Sequence, residues 1–166
     1  MFQKFYPTEQ INSVYEISFE KYYSQGYRGI IFDIDNTLVP HGAPSVEKAE
    51  QLFAHLRQLG FSTCLLSNNQ EPRVKPFADK VGSPYICNAH KPSVKNYNRA
   101  MKDMKTTLDT TLFIGDQIFT DIYGANRTGI HTILVNPIHP KEEIQIVLKR
   151  YLERIVLFFY KRKKKQ

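Results

Sequence analysis

The hydrophobic residues of this chain follow two patterns that alternate along it. Short, nearly continuous apolar runs such as "GIIFDI" are typical of parallel strands covered on both faces. Between these runs, apolar residues recur every three or four positions, as at residues 46, 49, 52, 53, 56 and 59, which is the period of a helix. The patterns predict strands at 29–34, 61–67, 84–89, 111–115 and 131–136, and helices at 18–25, 46–59, 72–81, 93–104, 121–127 and from about 142.

This alternation predicts the α/β class, as a Rossmann-like, doubly wound parallel sheet with helices on both faces. The length of 166 residues suits one domain, so we expect a single domain over 1–166. Its core is expected at about 29–136, followed by a C-terminal helix at about 142–160 and a basic tail at 161–166.

The net charge of +7 is concentrated at the C-terminus. Residues 161–165, "KRKKK", supply five of the seven charges and leave two for the rest of the chain. A nucleic-acid-binding domain typically carries a distributed basic face, so no nucleic-acid partner is expected. No apolar run reaches the roughly 20 residues that span a bilayer, and "MFQKFYPTEQ" lacks the apolar centre of a signal peptide. These features favour a cytoplasmic protein.

Polar residues directly follow the apolar runs, where parallel sheets place their ligand crevice. They are Asp33, Asp35 and Thr37 after the first run, Ser67 and Asn68 after the second, Lys91 after the third, and Asp116 and Asp121 after the fourth. If these strands are neighbours, the carboxylates and the lysine converge on one site.

The two leading aspartates indicate the chemistry of that site. Side chains two apart on a strand point to the same side, so Asp33 and Asp35 are expected to face one crevice. Adjacent carboxylates repel unless a cation or a shared proton relieves them. Asp116 from another strand completes a cluster of hard oxygen atoms of the kind that Mg²⁺ prefers, while Lys91 offers a point charge for phosphate. One aspartate can attack phosphorus and the other can exchange protons.

The ordered set resembles the four motifs of the haloacid dehalogenase (HAD) superfamily: "DIDNT" at 33–37, Ser67, "KP" at 91–92 and "GDQIFTD" at 115–121. The resemblance implies an HAD-like fold and an Mg²⁺-dependent phosphatase that forms an aspartyl-phosphate. It implies that Asp33 is the nucleophile and Asp35 the general acid and base. Ser67 and Lys91 would be phosphate ligands, with Asn68 beside them. The metal ligands would be the Asp33 carboxylate, the Asp35 backbone carbonyl and Asp116, with Thr37 and Asp121 in support.

The gaps between the motifs bear on the substrate. Neither the stretch from Asp33 to Ser67 nor that from Ser67 to Lys91 has room for the cap domain that covers the site in many family members. The chain resembles the short capless phosphatases of the YqeG type, which are related to phosphatidylglycerophosphate phosphatases. The resemblance implies a phospholipid precursor as substrate and nominates a phospholipid head group as ligand.

Other interpretations stay open from the sequence. The substrate is alternatively a soluble sugar phosphate or a nucleotide, or the protein is a non-catalytic scaffold that binds anions. Asp121 either supports catalysis or caps the helix that follows it. Nothing in the sequence indicates the oligomeric state.

The C-terminal helix also has two interpretations. Its apolar stripe consists of Ile144, Val147, Leu148, Tyr151, Leu152 and Ile155. Either this stripe covers the sheet and the basic tail is solvated, or Phe158, Phe159 and the tail make a weak peripheral contact with the inner face of an anionic membrane.

Overall fold

The computed structural model describes residues 2–139 and 144–164, without the side chains of residues 144 and 145. Its six strands are β1 (Glu9–Ile11), β2 (Gly29–Phe32), β3 (Ser62–Leu66), β4 (Tyr85–Ile86), β5 (Thr111–Gly115) and β6 (His131–Val135). They form one sheet in the order β1-β6-β5-β2-β3-β4, and every pair is parallel. The parallel sheet predicted from the apolar runs is confirmed.

In the described part of the chain, six α-helices connect the strands or follow them. They are α1 (Phe19–Ser24), α2 (Glu47–Leu59), α3 (Glu71–Val81), α4 (Lys95–Met104), α5 (Tyr123–Thr128) and α6 (Ile144–Lys164). The buried residues of α1, α2 and α3 share one apolar core with one face of the sheet. Those of α4 and α5 share a second core with the opposite face. The α/β class with helices on both faces is therefore confirmed.

Strand β2 owes its central position to the burial of both its faces. All four of its residues are buried. Ile30 and Phe32 belong to one core and Ile31 to the other, as the alternation of side chains along a strand requires. The strand pairs with β3 on one side and β5 on the other, so the loops that follow these three strands emerge next to one another.

The connections beside the central strands are short. Within the described residues, α2 is the one helix between β2 and β3, and α3 is the one between β3 and β4. These segments contain no inserted cap domain, as the spacing of the motifs predicted. Helix α2 ends at Leu59 and is capped by Gly60, whose φ of 98° lies in the left-handed region that glycine adopts without strain.

The C-terminal helix departs from its prediction in length and orientation. Helix α6 continues to Lys164, so most of the predicted basic tail is helical. The prediction that the apolar stripe covers the sheet is wrong for its described side chains, because Val147, Leu148 and their neighbours are exposed. The stripe's Ile144 side chain and residues 142–143, 165 and 166 lie outside the described part.

The opposite face of α6 holds the helix on the domain. Its buried residues are Glu153, Val156 and Tyr160. Val156 joins a small core with Ile118 and Leu134 beyond the edge of the two main cores. No helix in the described part of the chain is both long enough and apolar enough to cross a membrane.

Candidate active site

The strand order brings the predicted acidic residues together. Asp33 directly follows β2, and Asp116 directly follows the neighbouring strand β5. The backbone N–H of Asp33 donates to the carbonyl of Ile114 at 2.9 Å, which continues the ladder between the two strands. Asp121 lies five residues after Asp116, in a single π-helical turn over Ile118–Ile122 that leads into α5.

Asp33, Asp116 and Asp121 form a compact and buried acidic cluster. One carboxylate oxygen from each lies within 4.8 Å of the others, and all three residues are buried. Lys91 is also buried, at 7% exposure. Its Nζ donates to Asp33 Oδ1 at 2.6 Å and to Asp121 Oδ1 at 2.7 Å. A buried lysine between two carboxylates neutralises part of their charge. Without this lysine, the three carboxylates of the cluster would repel one another strongly.

Burial dominates the protonation of this cluster. Loss of solvent raises the pKa of Asp33 to about 6, against the opposing effect of Lys91. Burial likewise raises the pKa of Asp116 well above its usual value, and the Asp33 charge adds to the effect. For Lys91, burial alone would lower the pKa, but the charges of Asp121 and Asp33 outweigh it and raise the pKa. The lysine is therefore the firmly charged member of the cluster.

Thr37 links two members of the cluster. Its hydroxyl lies 3.1 Å from Asp116 Oδ1 and 3.3 Å from Asp33 Oδ2, and it donates to these carboxylates. A hydroxyl carries a single hydrogen, so it can satisfy the two acceptors only in turn. Thr37 thus lies between the ends of β2 and β5, where it can play the supporting role predicted for it.

Asp35 lies apart from the cluster and faces α3. Its Oδ1 accepts from the backbone N–H of Gly42 at 2.7 Å and from Arg73 Nη2 at 3.0 Å, and its Oδ2 accepts from Asn69 Nδ2 at 2.7 Å. Strand β2 ends at Phe32, so the alternation from which a common direction was expected no longer applies at residues 33–35. Asp35 nevertheless lies near enough to Asp33 to contribute to its raised pKa.

Ser67 and Asn68 occupy the turn that follows β3. Ser67 is buried, and its hydroxyl oxygen accepts from the backbone N–H of Asn69 at 3.1 Å. The Asn68 side chain clamps the backbone of Lys91: its Oδ1 accepts from the Lys91 N–H at 2.7 Å, and its Nδ2 donates to the Lys91 carbonyl at 3.3 Å. The contacts of Asn68 therefore orient the lysine.

Asp121 supports the loop in front of it. Its Oδ2 accepts from the backbone N–H groups of Asp116 and Gln117 at 3.2 and 3.1 Å. Helix α5, which follows, receives no side-chain cap. Gly115 makes this arrangement possible, because a Cβ at that position would lie 2.6 Å from Asp121 Oδ2. Of the two interpretations of Asp121, these contacts favour the supporting one.

Two pairs of residues beyond the motifs also reach the site. Arg150 of α6 donates from Nη2 to the Asp116 carboxylate and from Nη1 to the Asp116 carbonyl at 2.5 Å. Glu153 pairs with Arg150 at 3.0 Å and accepts from the backbone N–H of Ile118 at 2.7 Å. The other pair, Asn69 and Arg73, holds Asp35. No motif spacing marks these four residues, although Asn69 directly follows the predicted Ser67 and Asn68.

The donor atoms of the cluster suit a divalent cation. Three carboxylates from adjacent loops offer the hard oxygen ligands that Mg²⁺ takes, and the remaining ligand positions are those that water and phosphate fill. The third carboxylate of the cluster, beside those of Asp33 and Asp116, is that of Asp121. The backbone carbonyl of Asp35, which the family resemblance assigns as a ligand, stays a prediction.

Comparison with known proteins agrees with this geometry. Residues 88–144 match a family model described as HAD-hydrolase-like. The chain is 38% identical over 165 residues to the protein named "Probable phosphatase YqeG" of Bacillus subtilis, covering 98% of this chain and 96% of that protein. It is 26% identical to phosphatidylglycerophosphate phosphatase 1, chloroplastic/mitochondrial, of Arabidopsis thaliana, over 94% of this chain but only 47% of the plant protein.

Solved structures share the fold at low sequence identity. The cobalt-bound deoxy-D-mannose-octulosonate 8-phosphate phosphatase of Haemophilus influenzae superposes with a TM-score of 0.55 at 16% identity, over 68% of this chain and 70% of that one. An uncharacterized protein of Listeria monocytogenes gives 0.55 at 18% identity, over 70% and 84%. Together with the near full-length match to YqeG, these comparisons show that the chain belongs to the HAD superfamily, as a capless phosphatase of the YqeG type.

Proposed function

We propose that this phosphatase is an Mg²⁺-dependent phosphomonoester hydrolase that works through an aspartyl-phosphate on Asp33, with 1–166 acting as one catalytic domain. The observation that carries the proposal is the contact of Lys91 Nζ with both Asp33 and Asp121 in a buried cluster with Asp116. Lys91 thus offers a fixed cation directly beside Asp33, which is what a phosphate site with a carboxylate nucleophile needs.

In the first half-reaction, an Asp33 carboxylate oxygen attacks phosphorus. A new O–P bond forms while the bond from phosphorus to the ester oxygen breaks, and Asp35 gives the leaving oxygen its proton. The hydrogen bonds to Lys91 and Thr37 fix the direction of the Asp33 carboxylate before the substrate arrives.

In the second half-reaction, Asp35 takes a proton from water, and the water oxygen attacks the phosphorus of the aspartyl-phosphate. The bond between phosphorus and the Asp33 oxygen breaks, which releases inorganic phosphate and restores both carboxyl groups. Contacts from Asn69 and Arg73 hold Asp35 in place for both steps.

The charge of the phosphoryl group is balanced by the surrounding residues. Lys91 and the Ser67 hydroxyl bind its oxygens, and Asn68 keeps the lysine backbone in position. Asp33, Asp116 and the Asp35 carbonyl would hold Mg²⁺, with Asp121 in support. When bound, the ion supplies positive charge that neutralises the phosphoryl oxygens as negative charge develops on them.

For the substrate, we propose phosphatidylglycerophosphate. The name of the plant relative supports the proposal; the match covers 94% of this chain and 47% of the plant protein. The absence of an inserted cap between β2 and β4 also supports it, because an uncapped site leaves room for a lipid head group. We further propose that the enzyme is cytoplasmic and meets this substrate at the inner face of the membrane, through a weak contact of its basic C-terminus.

A substrate panel with matched variants tests the proposal. Purified protein is given phosphatidylglycerophosphate in mixed micelles, a soluble chromogenic phosphate ester, sugar phosphates and nucleotides, with Mg²⁺ or with EDTA. We expect the highest kcat/KM on the lipid, with activity dependent on Mg²⁺. Asp33→Asn is expected to abolish turnover, because an amide cannot attack phosphorus, while Asp109→Asn, at an exposed turn, keeps it.

The other outcomes decide between the remaining interpretations. Preference for a sugar phosphate or a nucleotide would overturn the lipid assignment and leave the mechanism standing. Turnover by Asp33→Asn near the wild-type rate would overturn the nucleophile. A wild-type protein that binds phosphate but hydrolyses no ester would be an anion-binding scaffold.

A further inference from the structure

Helix α6 turns its most apolar face to solvent. Seven large apolar side chains on this helix are exposed, among them Leu148 at 68% and Tyr151 at 66%. The set, here called the outward stripe, consists of Val147, Leu148, Tyr151, Leu152, Ile155, Phe158 and Phe159. Their spacing of three, four or one residues puts all seven on one side of a helix with 3.6 residues per turn. A continuous patch of this kind marks an interaction surface.

Contacts on the other side of the helix fix the direction of the stripe. Glu153 Oε1 accepts from the backbone N–H of Ile118 at 2.7 Å, and Arg150 reaches Asp116. The Tyr160 ring lies edge-on to Tyr6, with ring centroids 5.4 Å apart. Because these anchors hold the inward face, the outward stripe is left exposed, although its Phe159 ring also stacks on Phe2 with ring centroids 5.7 Å apart. Along the rest of its length the stripe is available for another surface.

The charges beside the stripe indicate the partner. Between residues 146 and 164 every exposed charged side chain is cationic: Lys149, Arg154, Lys161, Arg162, Lys163 and Lys164. The single acid of this segment, Glu153, is buried and paired with Arg150. A second copy of the chain packed along the stripe would bring six cations of each helix together, and the described part of α6 exposes no acid that would offset them. An anionic surface has the complementary charge.

We propose that the outward stripe and these cations dock α6 onto the surface of an anionic lipid bilayer, with the helix lying in the plane of the head groups. An apolar face bordered by lysine and arginine is the pattern of helices that lie in this interface. The inference deepens the membrane contact proposed above and rests on it, but it assigns the contact to the stripe as well as to the basic end.

A cavity borders both the docking face and the acidic cluster. It has a volume of about 470 Å³, and its lining includes Val147 and Tyr151 of the stripe, Arg150, and the candidate metal ligand Asp116. The Asp116 side chain is itself buried and bound by Arg150. A docked α6 would therefore place the bilayer beside this cavity, and a lipid head group that displaces Arg150 would reach Asp116 from that side.

The test is binding of the full chain to sedimenting vesicles, measured apart from catalysis. Vesicles of phosphatidylglycerol and phosphatidylcholine are compared with vesicles of phosphatidylcholine alone at low and high salt. We expect binding to the anionic vesicles only, weakened at least tenfold by high salt. The double variant Leu148→Gln/Leu152→Gln is expected to lose at least tenfold in vesicle affinity, and the quadruple change of residues 161–164 to Gln to lose a similar factor.

Matched controls separate docking from other effects. Val46→Gln removes an exposed apolar side chain from the start of α2, and Lys75→Gln with Lys80→Gln removes exposed cations from α3. These variants are expected to bind vesicles like the wild type. The stripe variant is expected to keep the wild-type rate on the soluble ester, because neither leucine lines the cavity or contacts the acidic cluster.

Several outcomes would overturn the docking proposal: no binding to anionic vesicles at low salt, equal binding to neutral vesicles, or equal binding by the stripe variant and the wild type. Sedimentation equilibrium that shows a dimer dissolved by the stripe variant would instead make the stripe an interface between two copies. Failure here leaves ester hydrolysis untouched. Conversely, a chain that binds vesicles but hydrolyses no ester would refute the catalytic proposal alone.

Discussion

Arg150 binds Asp116 through both its carboxylate and its backbone carbonyl. The first of these residues belongs to the C-terminal helix and the second to the loop after β5, 34 positions earlier in the chain. A guanidinium thus lies against a candidate metal ligand, and the helix that bears the outward stripe is bound directly to the acidic cluster.

This contact predicts a competition for Asp116. The Arg150 cation repels a divalent ion and occupies one oxygen of its ligand, so Arg150→Gln is expected to bind Mn²⁺ or Mg²⁺ at least about tenfold more tightly, or ~1.4 kcal/mol. Titration calorimetry measures the affinity without turnover. Arg154→Gln, one turn further along and exposed, serves as the charge-matched control and should leave the metal affinity close to that of the wild type. Unchanged affinity in Arg150→Gln would show that the arginine and the ion do not compete.

Metal binding is expected to stabilise the fold. At a free Mg²⁺ concentration of 100 times Kd, linkage adds about 2.7 kcal/mol to the free energy of unfolding, and each kcal/mol raises Tm by roughly 2–4 °C for a chain of this size. Thermal unfolding with Mg²⁺ and with EDTA measures the shift. Asp116→Ala is expected to lose it, while Asp109→Ala, which changes an exposed acid before β5, keeps it. An Asp116→Ala protein with the full Mg²⁺ shift would place the ligand elsewhere.

Arg73 is expected to act on catalysis by positioning Asp35, which it contacts at 3.0 Å. Arg73→Met should lower kcat by about tenfold and change KM little, because the acid–base group loses its orientation while the phosphate ligands remain. Arg73→Lys should restore part of the rate. Lys75→Met, on the same helix and paired with Asp79, provides the control. Steady-state kinetics on the soluble ester decide: a drop in Tm with unchanged kcat would make Arg73 structural only.

Gly115 is predicted to be intolerant of any side chain. A Cβ there would lie 2.6 Å from Asp121 Oδ2 and 2.7 Å from Asp121 Cγ, so Gly115→Ala must displace a carboxylate that binds Lys91. We expect a loss of about 1–3 kcal/mol in the free energy of unfolding and a fall in kcat. Denaturant unfolding measures the first effect. In an Asp121→Gly background the added cost should shrink, because the three nearest atoms, all of Asp121, are gone; an equal cost in both backgrounds would contradict the proposed clash.

The acidic cluster was predictable because Asp33 and Asp116 directly follow strands, while Lys91 and Asp121 lie a few residues beyond a strand end. The apolar run of β5 fixes its C-terminal end at Gly115, and Asp116 follows at once. Asp33 and Lys91 were located in the same way, because parallel strands deliver their loops to one edge of the sheet. Such predictions need only local sequence information, namely where a buried strand ends and which polar residue comes next.

The orientations that failed depend on contacts that are distant in sequence. Rules for amphipathic helices assume that the apolar face turns inward, but α6 is anchored by Arg150 and Glu153, whose partners lie more than thirty positions away. The direction of the Asp35 side chain likewise depends on Arg73 of α3, which is 38 positions away in the sequence. Strand β1 has only three residues and no apolar run, so no local sequence pattern predicts it.

The position of β1 has a consequence for how this protein is made. The strand lies at the edge of the sheet beside β6, and the hydrogen-bonded Thr8 and Thr132 next to their ladder are 124 residues apart. At a synthesis rate of about 5–20 residues per second, β1 is synthesised roughly 6–25 s before its partner. A strand of three residues that includes Glu9 and Gln10 is too short and too polar to recruit a wrong partner during that wait. The strand of this sheet that comes first in chain order can thus be among the last to join it without exposing the nascent chain to aggregation.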